Sequence, residues 1–156
     1  MENSAAWDEV REQVEVGLAE LRDLLTLQRS FLADLHGQEP DSTRMLALSA
    51  TLHFFYNGVE NLFKRIARKI DRAIPKSEAW PLELLTAIAA STPKRPAVIS
   101  GELKAALLNY LSFRHFVWSG YSHRLKWERM APLAFGCDAT FDRLVAELST
   151  FFGANL

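Results

Sequence analysis

The chain has 156 residues, 49% of them hydrophobic, with ten Phe and four Trp, so it is long and apolar enough to bury a core and is not of the disordered class. Its formal net charge of −1 gives no bulk electrostatic attraction to nucleic acid, and its lone cysteine, Cys137, excludes an internal disulfide. The opening stretch MENSAAWDEV has no basic segment followed by an apolar run, and no uncharged stretch approaches the ~20 residues of a membrane span. A soluble cytoplasmic protein without membrane association is the expectation.

The net charge hides an asymmetry. Residues 1–41 carry ten acids against three bases, whereas residues 94–130 carry seven bases against two acids. Two readings stay open: helices of opposite charge packed or solvated separately, or a local basic surface facing phosphates.

Residues 6–35 read as one long helix, with Trp7, Val10, Val14, Gly17, Leu21, Leu24, Gln28, Phe31 and Leu35 in alternating steps of three and four. Leu18, Leu25 and Leu32 widen that stripe, His36-Gly37 ends it, and Pro40 confirms the break. Asp41 or Ser42 caps a second helix over 42–73, whose apolar face is Met45, Leu48, Leu52, Phe55, Val59, Leu62, Ile66 and Ile70. Its basic end, with Arg65, Arg68 and Arg72 on one face, suits the helix dipole.

A short helix is expected over 80–90. Residues 91–100 then form a linker too apolar at Val98-Ile99 to be fully exposed. Ser100 caps a fourth helix over 101–120, which Gly120 weakens, and a last helix covers 138–152 with Phe141, Leu144, Val145, Leu148, Phe151 and Phe152. No strand-length alternation and no repeat is found. The expectation is a single all-α domain over 1–156, an up-down helical bundle of about five helices.

Little standard chemistry is on offer. The histidines are His36, His53, His115 and His123, with no HExxH and no paired cysteine, so neither a metal nor a cofactor is expected. Glu60 is the main carboxylate within an apolar face, a position more often paired structurally than catalytic. On the fourth helix Arg114, Trp118 and Tyr121 fall at i, i+4 and i+7 on one face, with His115 and Ser119 on an adjacent one. An arginine fork binds phosphate and a phenol or indole stacks on a base. The same spacing also fits packing aromatics and a structural ion pair at Arg114.

FRHFVWSGY followed by LKWERMAPL resembles the motif region of HepT-like toxins of the HEPN superfamily. LHFFYNGVENLFKRIARKID is similar to that family's second helix, and RPAVISGELKAALLNYL leads into the motif helix as it does there. The resemblance runs over roughly 44–152. It implies an all-α, metal-independent endoribonuclease fold, a homodimer with its cleft across the two-fold axis, and a small nucleotidyltransferase antitoxin as partner. It also implies RNA as a ligand.

The family motif is an arginine, four to six residues, then a histidine, with a tyrosine two positions further on. Arg114 matches the arginine and Tyr121 the tyrosine, but positions 119 to 121 hold Ser119, Gly120 and Tyr121, so no histidine falls in the tolerated range. Trp118 stands where relatives commonly carry a second basic residue. Cleavage through the 2′-OH needs a proton-transfer group of near-neutral pKa, and losing one typically costs about 10²–10⁴-fold. The resemblance therefore implies a weakened ribonuclease with Ser119 at the place of the missing histidine. The alternatives are an active enzyme using a displaced histidine, His123 first, and a non-catalytic scaffold that binds the nucleotidyltransferase. His115, Trp118, His123 and Arg124 are the possible substitutes or RNA contacts, and Tyr121 is also a possible site of nucleotide addition by the antitoxin.

Overall fold

Periodic apolar stripes of this kind can be satisfied only by helices packed side by side, and the structure, a computed structural model, has that form. It describes residues 2–117 and 125–156. Among these are five α-helices, α1 (Glu2–Ala33), α2 (Ser42–Ile66), α3 (Trp80–Ile88), α4 (Gly101–Phe116) and α5 (Trp127–Phe152), and no β-strand. The fold is the expected all-α bundle, and no helix among the described residues is long and apolar enough to cross a membrane.

α1 and α2 form an antiparallel hairpin. His36 (φ 50°) and Gly37 (φ 78°) turn the chain in left-handed backbone. Asp41 then caps α2, its Oδ1 accepting from the Arg44 amide at 2.9 Å. That hydrogen bond holds the Asp41 carboxyl below its ordinary range. Two glycines let the helices approach: a Cβ on Gly17 would lie 2.4 Å from Leu62, and one on Gly58 2.5 Å from Leu21. The opposite charges of the hairpin meet at its far end, where Lys69 Nζ lies 3.2 Å from Glu9.

α2 stops being α-helical earlier than the expected residue 73. Ala67–Asp71 is a π-helical turn closed by Arg72 in left-handed backbone (φ 55°). Here Arg95, in the loop after α3, is wholly buried. It donates to both Asp71 carboxylate oxygens (2.6 and 2.8 Å) and to the carbonyls of Ala87, Ala90 and Pro96. Val98 and Ile99 are buried beside it, as their apolar character led us to expect. Ser100 caps α4 by accepting from the Leu103 amide.

The last helix needs correction. It begins at Trp127, not near 138, and contains Pro132. The buried residues Met130, Ala134, Cys137, Phe141, Leu144 and Leu148 follow steps of four and three from one end to the other. A proline normally breaks a helix by removing an N–H and clashing with the preceding turn. Pro132 falls in only the second turn, and long-range contacts pin the carbonyls after it. Tyr110 Oη donates to the Leu133 carbonyl at 2.7 Å, and Gln28 Nε2 donates to that of Ala134 at 2.9 Å. α5 thereby lies antiparallel to α1, with Trp7 stacked on Phe151, and antiparallel to α4, with Arg143 on Glu102.

Candidate functional site

The polar residues of α2 form a stripe beside its apolar face. His53, Asn57, Glu60 and Lys64 recur at i, i+4, i+7 and i+11, which stacks them along one side of the helix. α4 crosses this stripe with Arg114. Its Nη1 donates to Asn57 Oδ1 at 2.8 Å and to Glu60 Oε1 at 2.9 Å, and its Nη2 to Glu60 Oε2 at 2.8 Å. This is a bidentate, charge-assisted pair, and it is largely desolvated: the Arg114 side chain is 11% exposed and that of Glu60 6%. The guanidinium also lies 5.0 Å from the centre of the Tyr56 ring. Burial, reinforced by the Glu60 carboxylate, pushes the Tyr56 phenol above its ordinary pKa.

Arg114 makes the structural ion pair that its spacing left open, and it also borders a cleft of about 850 Å³. The polar wall of the cleft carries Asn57, Glu60, Asn61, Lys64, Arg114 and His115; Trp80, Leu82, Leu108 and Leu111 line its apolar side. His115 is exposed at this rim, one residue along from Arg114, and both face the same space. Lys64 bridges the two walls, 3.9 Å from Glu60 and 4.3 Å from the centre of the Trp80 ring.

The basic segment 94–130 contributes less open positive charge than its sequence suggests. Arg95 faces the Asp71 carboxylate of the π-helical turn, and Arg114 faces Glu60 of α2. Lys94 Nζ donates to the Asp71 carbonyl. These two arginines are thus neutralised by acids outside the acidic segment 1–41, while Arg124 lies outside the described residues.

Trp118, Ser119, Tyr121 and His123 also lie outside the described residues, so of the sequence-derived site only Arg114 and His115 have a described geometry. The structure adds partners that the motif did not name: Asn57, Glu60 and, behind them, His53. Asn57 Nδ2 lies 3.0 Å from His53 Nε2. Burial first, and the Arg114 charge second, lower the His53 pKa from its ordinary 6.5. The folded chain therefore favours neutral His53. The stability linked to this is present above pH 6.5 and is lost as pH falls toward the lowered folded value. The signal for these residues was in the sequence, as polar side chains at helical spacing on the edge of an apolar face.

Fold and site together define a helical-bundle protein whose fourth helix presents a clamped arginine to a cleft. The family model described as HepT-like protein matches residues 47–155, well over half of the chain. The chain belongs to this HepT-like family, within the HEPN superfamily. Neither the curated proteins nor the solved structures provide a match.

Proposed function

We propose that this chain is a toxin-type protein of a toxin–antitoxin pair, derived from a metal-independent RNA endonuclease and catalytically weakened by Ser119 at the motif histidine position. The observation that carries the reading is Arg114, held by Glu60 and Asn57 at the wall of an open cleft. A guanidinium fixed in this way meets a phosphate with little reorganisation, and it offsets the charge that builds on phosphorus when a 2′-OH attacks. It is a poor proton acceptor. Serine has no near-neutral pKa to replace the histidine, so binding of RNA outlasts its cleavage. The same reading takes the chain as one half of a homodimer and as the client of a nucleotidyltransferase antitoxin, with Tyr121 as the residue open to modification.

The test is RNA cleavage by the purified chain beside a Trp118→Arg/Ser119→His revertant, with Arg114→Ala in the revertant as control. The revertant is expected to cut faster by about 10²–10⁴-fold, and to lose that gain with Arg114. Cleavage by the unaltered chain that depends on Arg114 would assign the proton to another group, His123 first, and overturn the weakened reading.

A further inference from the structure

We propose that His53 is a positioning residue for Arg114, acting through the side-chain amide of Asn57, and that it does so only in its neutral form with the proton on Nδ1. The inference rests on the reading of the cleft given above for what Arg114 does, but not for how it is held.

The argument follows the direction of each hydrogen bond. Arginine has donors and no acceptor, so the Asn57 atom that Arg114 Nη1 meets at 2.8 Å has to be the amide oxygen. This assigns the other end of the amide, which no heavy-atom distance alone can do. Asn57 Nδ2, a donor, then faces His53 Nε2 at 3.0 Å. For that contact to be a hydrogen bond, Nε2 has to accept, which places the ring proton on Nδ1. Arg114, Asn57 and His53 form one chain with a single polarity, donating from α4 inward along α2.

Protonating His53 breaks this chain at one of two points. With a proton on Nε2, the ring confronts the Asn57 NH2 group, donor against donor. If the amide turns over to relieve this, its NH2 group confronts Arg114 instead. The turn withdraws one acceptor from the Asn57–Arg114–Glu60 clamp, and without the turn the amide keeps Arg114 but loses the hydrogen bond that orients it. Among the described residues, the charged group acting on the ring across the α2–α4 contact is Arg114, and on its own helix Glu60 lies two turns further along. By linkage, the arrangement that keeps His53 neutral is weakened by its proton to the same degree. With the amide turned, Arg114 keeps Glu60 but loses the lateral contact that fixes the plane of its fork.

The protein labelled with ¹⁵N reports this without RNA. At neutral pH, His53 Nε2 is expected to resonate as an unprotonated ring nitrogen, and the Arg114 Nη hydrogens to exchange slowly. As His53 titrates, exchange at Arg114 should quicken by about fivefold, the size of one ordinary hydrogen bond. His53→Gln, whose amide oxygen accepts in the same place without titrating, should keep slow exchange across that pH range, while His53→Leu should exchange fast throughout. A proton on Nε2 at neutral pH overturns the proposal in the unaltered protein, whatever the variants do. So does Arg114 exchange that ignores the His53 titration, or His53→Gln exchanging as fast as His53→Leu. If the three proteins differ as expected and none binds a single-stranded RNA in a parallel anisotropy titration, the positioning chain stands and the RNA reading falls.

Discussion

Glu60→Ala is the perturbation that the clamp answers most directly. The substitution removes two charge-assisted hydrogen bonds, at 2.8 and 2.9 Å, from a guanidinium only 11% exposed. Each such bond is worth about 1.5–3 kcal/mol, but the larger effect is the positive charge left in a desolvated site. Breaking a buried pair from one side typically costs about 3–5 kcal/mol. The lower half of that range is expected, because Asn57 still accepts from Nη1. At about 2–4 °C per kcal/mol for a domain of this size, the melting temperature falls by roughly 6–16 °C. Arg114→Met alone should cost somewhat less, since Lys64, 3.9 Å away, still faces the carboxylate. The pair Glu60→Leu/Arg114→Met should recover most of the loss, because a buried ion pair is often replaceable by apolar side chains. Urea unfolding of these proteins, with Glu60→Leu alone added to close the cycle, gives the coupling energy. Additive losses, or a loss below about 1 kcal/mol for Glu60→Ala, would show that the pair is more hydrated than its geometry indicates.

Two further outcomes follow from the packing. Gly58→Ala adds a methyl 2.5 Å from Leu21 Cδ2, so the ~1 kcal/mol that alanine gains in a helix should be outweighed by overpacking of about 1–3 kcal/mol. A raised urea midpoint would refute that close approach. Cys137 is wholly buried, and burial pushes its thiol up to about 12. It should resist a maleimide at pH 8 in the folded chain and react promptly in urea; equal rates would place the thiol at the surface.

Much of the fold was legible in the sequence because core-facing stripes survive in single residues. The α1 and α2 stripes, the Asp41 and Ser100 caps and the burial of Val98 and Ile99 all appear in the structure as the sequence indicates. The first half of α5 was not legible, because Pro132 and Gly136 are poor helix residues by any local rule. What overrides them comes from α4 and α1, through Tyr110 and Gln28, 23 and 106 residues away in the chain. The site was legible in part for the same reason. Arg114 stands out as a motif residue, but its partners reach it across 54 and 57 positions. A buried carboxylate at Glu60 was apparent, whereas its pairing with Arg114 depends on how α4 crosses α2.

The buried Arg95 has a consequence for the chain before it folds. Its fork joins residues 24 positions apart and commits all five of its N–H donors to Asp71 and three carbonyls. It acts as a non-covalent staple, closing the loop that carries α3 much as a disulfide closes one. Unlike a disulfide, it imposes no restriction on the unfolded ensemble, so its closure entropy is met during folding. It is also indifferent to thiol reductants. Lysine, with three donors on a single nitrogen, cannot reproduce that fastening. The segment that reads as a linker is thereby tied to the end of α2, and the cleft takes its Trp80 wall from the loop that Arg95 helps to close.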